Sequence, residues 1–192
     1  MPVAYEDLSF HILTHPSQIS PFSCIDDELN DFLHNDAMYY QENRLASTHL
    51  AGYYDEIVGF FTLSNDCIET QAIAEDERDK GFTHPKYPAL KIARFAVHRD
   101  YMGNTIGENM LLRIFVIAMK ISWHVGCRII TVDAKRHLKG TRRPPADFYR
   151  KYGFKDAKKH LSASSTTIPL YRDFHRFLDG RMEQRLITEI FW

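Results

Sequence analysis

The sequence predicts a single α/β (α+β) domain in which one sheet is flanked by helices. At 192 residues the chain is long enough for one well-buried core and short for two domains. Apolar runs of strand length alternate with apolar stripes of helical spacing, a mixture that packs as helices on a sheet. We therefore expect one domain over 1–192, with a core at about 8–171 and an amphipathic C-terminal extension over 172–192.

The first half of the chain is expected to form a strand, a helix and a hairpin. The strand is predicted at Leu8–Leu13. Asp26 or Asp27 can cap the following helix, whose apolar residues recur on one face. Two strands over 48–54 and 57–63 then enclose a short polar turn, which is typical of a hairpin.

The second half begins with a long acidic and proline-bearing connection over 65–89. Connections of this length are usually functional or loosely ordered. Later segments again alternate between the apolar spacing of strands and that of helices. The predicted elements are a strand at 90–98, a helix at 106–123 stopped by Gly126, a strand at 128–132, a helix from Pro144-Pro145 to about Gly153, and a strand at 166–171.

The most informative stretch is a strand, a loop and a helix start in the middle of the chain. The apolar run Ile92–Val97 is followed by the glycine-bearing segment Tyr101–Gly107. The first turn of a helix presents backbone amides with no partner inside the helix, together with the positive end of its dipole. Such a loop holds phosphate or pyrophosphate on its amides, so the stretch predicts a phosphate-bearing cofactor.

The net charge of −1 conceals an uneven distribution. The segment from Lys135 to His160 contains ten basic and two acidic residues, so it carries a charge of +8 and the remainder of the chain carries −9. Two interpretations are open: a solvated surface, or a face that binds an anion such as cofactor phosphates or nucleic acid. The acidic remainder is unlike a general RNA-binding protein.

Several classes of protein are disfavoured by the sequence. Cys24, Cys67 and Cys127 form no C-x-x-C pair, which indicates core thiols in a reducing cytoplasm. No window approaches the roughly 20 apolar residues that span a bilayer, and no signal peptide is visible. His11 and His15 fall in an expected strand and turn rather than on one helical face. We expect a cytoplasmic protein with no membrane segment and no metal site.

Two motifs in this order resemble those of the GNAT family of acetyl-CoA-dependent N-acetyltransferases. The family loop Q/R-x-x-G-x-G/A corresponds to Tyr101–Gly107, and its F-Y-x-x-x-G-F pattern is matched in full by Phe148–Phe154. Upstream, Phe22–Cys24 and Gly59–Ser64 resemble the subgroup that contains tRNA-acetylating toxins. The resemblance covers about 8–171, and it implies a mixed, mostly antiparallel central sheet that is splayed at the cofactor site.

The resemblance also assigns cofactor contacts. Phe95, Ala96 and Val97 would offer backbone groups to the pantetheine arm, and an amide near Val97 or His98 would polarise the thioester carbonyl. The longer basic loop over 135–145 would lie near the CoA 3′-phosphate or the acceptor entrance. The residues expected at the pyrophosphate are Met102, Gly103, Asn104, Thr105, Ile106 and Gly107.

Two of these positions depart from the family pattern. Met102 replaces the usual Gln or Arg, which removes only a side-chain contribution because backbone amides hold the pyrophosphate. Thr105 replaces the first motif glycine, and a β-branched residue leaves less room for a phosphate. Its hydroxyl could instead cap the helix or touch a phosphate. We expect weaker or adapted cofactor binding.

Tyr149 occupies the position of the family's usual proton donor. A phenol with a pKa near 10 suits protonation of the departing thiolate. No general base stands out: Arg94 and His98 flank the splayed strand, and Glu69 or Asp133 would act through water. In the toxin-like subgroup the α-amine of a charged tRNA needs little help, so a base is not required.

The resemblance implies an enzyme that moves an acetyl group from acetyl-CoA to a primary amine. Two acceptor classes stay open, the aminoacyl group of charged tRNA and a small or protein amine. A non-catalytic module that binds acyl-CoA or a partner protein is a third interpretation. The toxin-like subgroup implies an antitoxin protein as partner. The C-terminal residues Ile187, Ile190, Phe191 and Trp192 would pack on the domain or form a homodimer contact.

Overall fold

The computed structural model describes residues 2–19, 21–141, 143–158 and 165–174. The strands are β1 (Leu8–Ile12), β2 (Ser47–Tyr53), β3 (Glu56–Glu69), β4 (Lys86–Val97), β5 (Ile129–Lys135), β6 (Lys155–Asp156) and β7 (Thr167–Asp173). The helices are α1 (Asp27–Asp31), α2 (Ala37–Glu42), α3 (Ile106–Ser122) and α4 (Pro145–Lys151). The strands form a mostly antiparallel sheet in the order β1-β2-β3-β4-β5-β7-β6, which confirms the expected α+β class.

The chain forms two compact units. The first comprises Met1–Ser64 with Ile92–Ile114, and the second comprises Asn65–Lys91 with Phe115–Trp192. The strands β3 and β4 and the helix α3 each contribute residues to both units. A single domain over 1–192 stays a prediction.

The first unit is built on the hairpin predicted from the sequence. β2 pairs with β3 in antiparallel register, with Leu50 opposite Phe60, and an irregularity lies between Ala51 and Gly52. β1 adds to the other edge of β2. Leu50 and Phe60 are fully buried together with Leu33. The inward-facing apolar residues of β2 and β3 therefore pack with the first helical segment in one core.

The first helical segment of this unit begins as expected and then widens. The Asp26 carboxylate accepts a hydrogen bond from the Glu28 amide at 3.1 Å, which is an N-terminal cap. A π-helical turn over Phe32–Asp36 separates α1 from α2. Both Phe32 and Leu33 in that turn are buried, so the apolar stripe still faces the core.

The second unit packs around β5 and β7, which pair along their whole lengths from Ile129 opposite Asp173 to Lys135 opposite Thr167. The short β6 pairs with β7 and was not expected from the sequence, because a two-residue strand carries no periodicity. Buried apolar side chains beneath these strands form the core of the unit: Ile68, Ala72, Ile73, Tyr87, Ala89, Ile129 and Tyr171.

The connection expected at 65–89 is shorter than the sequence predicted. β3 continues to Glu69 and β4 begins at Lys86. These added strand ends have no continuous apolar run, because exposed residues alternate there with buried ones such as Ile68. The Thr70 amide donates to the Pro85 carbonyl at 2.8 Å and closes the connection. The helix α3 ends at Ser122, one residue before its predicted end and ahead of the stop expected at Gly126.

The C-terminal extension expected over 172–192 is described only as far as Phe174. Its remainder, including the apolar residues proposed for packing or dimerisation, lies outside the described residues. None of the helices in the described part of the chain combines the length and the apolarity that a bilayer crossing needs.

Candidate functional site

The predicted pantetheine strand is the end of β4. Ala96 is buried, while Phe95 and Val97 are half-buried. The amide of His98 donates to the Val58 carbonyl at 2.8 Å, so the pairing with β3 continues one residue beyond β4. The backbone at the end of this strand is therefore held in place before the loop begins.

Gly59 lies under this strand end and permits close packing. A Cβ at that position would lie 2.4 Å from the Met110 sulfur and 3.1 Å from the Ala96 carbonyl oxygen. Met110 lies on α3 and is fully buried. Only glycine therefore lets β3 lie this close to the end of β4 and to the first turns of α3.

The loop between β4 and α3 exposes backbone at a glycine. A single 3-10 turn over Arg99–Tyr101 is followed by Met102, which is 42% exposed. Gly103 adopts a φ of 81°, and within the described residues no atom lies within 4 Å of where its Cβ would be. The loop therefore has open space beside its backbone at the position where the family pattern expects close approach of a pyrophosphate.

The loop ends at the N-terminus of the 17-residue helix α3. The Asn109 amide donates to the Thr105 carbonyl at 3.0 Å, so Thr105 is the capping residue of this helix. Helix geometry leaves the amides of Ile106 and Gly107 without acceptors inside the helix. These two amides and the dipole of a long helix can hold an anion such as a pyrophosphate.

The side chain of Thr105 points to the N-terminal segment of the chain. Its hydroxyl donates a hydrogen bond to the Val3 carbonyl, which also accepts one from the Asn109 side-chain amide at 3.0 Å. This bond uses the proton of the hydroxyl and leaves its oxygen able to accept, so both roles expected for the hydroxyl stay predictions.

Two further contacts hold the loop. The Arg99 guanidinium donates to the Ser23 hydroxyl and, at 3.2 Å, to the Cys24 carbonyl. The Tyr101 hydroxyl donates to the Glu56 carboxylate at 2.6 Å, and this bond raises the pKa of the Tyr101 phenol. The loop is therefore anchored at three points before any ligand binds, which lowers the entropy lost on binding.

Tyr149, the predicted proton donor, lies in the second unit on α4. Its ring packs edge-on against Phe148 and Phe154, with ring centres 5.2 Å and 5.4 Å away. The side chain is 6% exposed, and burial raises the pKa of its phenol above the ordinary value. The raised pKa keeps the proton on Tyr149 at neutral pH and also makes this phenol a weaker acid than an ordinary tyrosine, so its role as proton donor stays a prediction.

Two of the four candidate bases have structural partners in the first unit. The Arg94 guanidinium lies 4.7 Å from the centre of the Phe32 ring and donates to the Ala93 carbonyl at 2.8 Å. The His98 ring nitrogen Nδ1 accepts a hydrogen bond from the Asp100 amide at 3.3 Å. Both contacts give these side chains a structural role.

The other two candidate bases, Glu69 and Asp133, line a pocket of about 560 Å³ in the second unit. Asp133 forms an ion pair with Lys91 at 2.6 Å. No local sequence pattern indicates this pocket, because most of its residues come from the four separate strands β3, β4, β5 and β7. In particular, the Thr131 hydroxyl donates to Asp66, 65 residues away, at 2.5 Å.

The basic segment over 135–160 is partly neutralised inside the second unit. Arg150 binds Asp147 and Asp156, each at 2.9 Å. Lys155 pairs at 2.8 Å with Glu77. Other cations of the segment, such as Lys139 and Arg143, are exposed. The exposed cations fit a solvated surface, and the binding of an anion by this segment stays a prediction.

The sequence was also compared with known proteins, and no family model matches it. A KacT variant with a tyrosine-to-phenylalanine substitution superposes with a TM-score of 0.74 at 18% identity, over 93% of this chain and 99% of that one. AtaT in complex with acetyl-methionyl-tRNAfMet gives a TM-score of 0.70 at 19% identity, over 88% and 96% of the two chains. AtaTR bound with acetyl-CoA gives 0.68 at 19% identity, over 94% and 98%.

The chain has the GNAT fold. The similarity runs through nearly the whole of both chains, which confirms the expected fold. At identities below 20% it establishes the GNAT fold and leaves the activity to be argued from the residues themselves. Within this GNAT fold, the strand end, the Gly103 loop and the α3 N-terminus lie together in the first unit, whereas Tyr149 belongs to the second.

Proposed function

We propose that this chain is an acetyl-CoA-dependent N-acetyltransferase. The observation that carries the proposal is the loop from β4 to α3. It combines the left-handed Gly103, open space beside it, and the amides of Ile106 and Gly107 at a helix start. Such a loop is suited to a pyrophosphate, and acetyl-CoA carries one next to its pantetheine arm.

The solved structures of similar fold support the same donor. AtaTR has been solved with acetyl-CoA bound, and AtaT has been solved with acetyl-methionyl-tRNAfMet. We assign the pantetheine arm to the backbone of Phe95, Ala96 and Val97. The pyrophosphate is assigned to the loop residues Met102, Gly103, Asn104, Thr105, Ile106 and Gly107.

The residues of this chain would perform two tasks in the reaction. Acetyl-CoA supplies a thioester whose carbonyl carbon is attacked by a neutral amine, so that a C–N bond forms and the C–S bond breaks. A backbone amide near Val97 would stabilise the oxyanion. Tyr149 would donate its proton to the leaving sulfur, the amine would lose its proton to water, and the Tyr149 phenolate would take a proton back from water to restore the enzyme.

The acceptor that we favour is the aminoacyl group of a charged tRNA. Its α-amine is more readily neutral at pH 7 than a lysine amine, because an α-amino group has a pKa near 8. That acceptor needs no strong base, which fits the structural partners of His98 and Arg94. A small amine or a protein amine is the alternative, and a non-catalytic acyl-CoA-binding module is the third candidate.

We further propose an antitoxin protein as a partner. AtaT has been solved with the C-terminus of its antitoxin AtaR, and KacTA has been solved as a complex with DNA. A homodimer stays a prediction, because the apolar C-terminal residues that motivated it lie outside the described part of the chain.

Three measurements test this function together. Acetyl-CoA binding is followed by calorimetry, thiol release is followed with a panel of amines, and charged tRNA is examined for acetylation. We expect binding, turnover and acetylated aminoacyl-tRNA, with growth arrest on expression. Turnover with small amines alone would favour the second acceptor class. Binding without any turnover would favour the non-catalytic module, and no binding would refute the proposal.

A further inference from the structure

A polar pocket of about 560 Å³ lies within the second unit. A pocket of this size is large enough for a small ligand or for the end of a larger one. Its walls combine apolar side chains such as Ile68, Val132 and Leu170 with charged ones. Its residues come from β3, β4, β5 and β7 and from the connections beside them, so most of its charged groups project from strands of one sheet.

The charges around this pocket are balanced in sign. Three carboxylates and three lysines line it: Asp66, Glu69, Asp133, Lys86, Lys91 and Lys158. Lys91 and Asp133 neutralise each other at 2.6 Å. Asp66 is oriented by two hydrogen bonds, from the Thr131 hydroxyl at 2.5 Å and from the Cys67 amide at 2.8 Å. A carboxylate held by two donors still has lone pairs for a ligand.

The remaining two lysines are available for an anion. Lys86 and Lys158 are both exposed, and within the described residues neither forms an ion pair. The pocket therefore offers an oriented carboxylate together with two unpaired ammonium groups. A ligand of one sign would satisfy only one of these sets, whereas a ligand that carries both signs would satisfy both.

We propose that this pocket binds a small zwitterion, a molecule that carries an amine and an anionic group a few bonds apart. Asp66 accepts a hydrogen bond from the amine, and Lys86 and Lys158 bind the anionic group. Binding of such a molecule does not depend on the proposed acetyl transfer. The binding chemistry rests on the pocket alone, and the two can be tested separately.

Cys67 supplies the probe, because it lines the pocket and is exposed. The other two thiols are less reactive, since burial raises the pKa of Cys24 and raises that of Cys127 to about 11. Iodoacetamide at pH 8 should therefore alkylate Cys67 first. The rate is followed by peptide mapping of the full-length protein.

Alkylation is measured with O-phosphoethanolamine, β-alanine, ethanolamine or inorganic phosphate at equal concentration. We expect O-phosphoethanolamine or β-alanine to slow alkylation of Cys67 by about threefold or more, because each pairs with both sets of charges. Protection by O-phosphoethanolamine alone identifies the anionic group of the ligand as a phosphate. Protection by β-alanine alone identifies it as a carboxylate. Equal protection by ethanolamine or by inorganic phosphate, or no protection at all, overturns the proposal.

Matched variants test whether the protection of Cys67 depends on residues of this pocket. Lys158→Ala and Asp66→Asn should each abolish the protection, whereas Lys120→Ala, which removes an exposed lysine of α3 that does not line the pocket, should retain it. Protection that survives in both pocket variants contradicts the assignment. The experiment requires no acetyl transfer. A protein that turns over acetyl-CoA but shows no protection refutes the pocket alone, and the reverse result refutes the proposed function alone.

Discussion

The Thr105 hydroxyl donates a hydrogen bond to the main-chain carbonyl of Val3, 102 residues away in the chain. This bond fixes the side chain of the residue that departs most from the family loop pattern. The hydroxyl is directed toward the N-terminal segment. The amides of Ile106 and Gly107 form the first turn of the helix and have no acceptor inside it. The departure at Thr105 thus has a structural explanation in this chain.

Replacing Thr105 with valine should lower the free energy of unfolding modestly. The variant keeps the β-branched shape and removes the donor, while the Val3 carbonyl retains the bond from Asn109 at 3.0 Å. We expect a loss of about 1 kcal/mol, measured by urea denaturation. Thr105→Ser, which keeps the hydroxyl, is the control and should stay closer to the wild type. Equal stability of Thr105→Val and the wild type would show that the bond contributes nothing.

Replacing Tyr149 with phenylalanine should remove the proposed general acid and keep the packing. The ring would still meet Phe148 and Phe154, so the fold should be retained. We expect kcat to fall by about a hundredfold or more. Tyr152→Phe is the matched control, since its hydroxyl is bound to Lys151 at the end of the same helix, and it should keep near-native turnover. Full activity of Tyr149→Phe would end the assignment.

His49 should make the stability depend on pH below neutrality. Burial, followed by the charge of Arg113, lowers the pKa of this histidine to about 4 from an ordinary 6.5. Between these values the unfolded chain binds a proton that the folded chain does not, so stability falls as the pH falls from 6.5 towards 4. The folded protein should lose about 2 kcal/mol between pH 7 and pH 5 from this residue.

The variant His49→Phe isolates this contribution. It preserves the ring stacked on Phe61, whose centre lies 4.9 Å away at an interplanar angle of 8°. Denaturation of both proteins at pH 7 and pH 5 should show the wild type losing about 2 kcal/mol more than the variant. Parallel losses in the two proteins would contradict the lowered pKa.

Gly59→Ala should destabilise the first unit. The new methyl group would meet the Met110 sulfur at 2.4 Å and the Ala96 carbonyl at 3.1 Å, and the backbone oxygen cannot move aside cheaply. We expect a loss of about 1–3 kcal/mol in the free energy of unfolding. Gly126→Ala is the control, because its methyl group would find the nearest atom of Pro88 at an ordinary 3.9 Å. Similar effects of the two substitutions would refute the steric argument.

Much of the fold could be predicted from local patterns. The hairpin of β2 and β3, the helix capped by Asp26 and the helix from Ile106 all lie close to their predicted positions. The last part of β3 and the first part of β4 were missed because exposed residues alternate there with buried ones, which leaves no continuous apolar run. The two-residue β6 was missed because its pairing with β7 depends on a distant strand.

The sequence by itself determined the order of the longer strands and helices, the loop with Gly103 and the start of α3. These features depend on backbone preferences and on apolar spacing between near neighbours, which can be read along the chain. The tertiary structure alone decided where the Thr105 hydroxyl points, which carboxylate Thr131 binds, and how far burial lowers the pKa of His49. Each of these depends on residues far apart in sequence, and contacts of that kind exist only once the chain has folded.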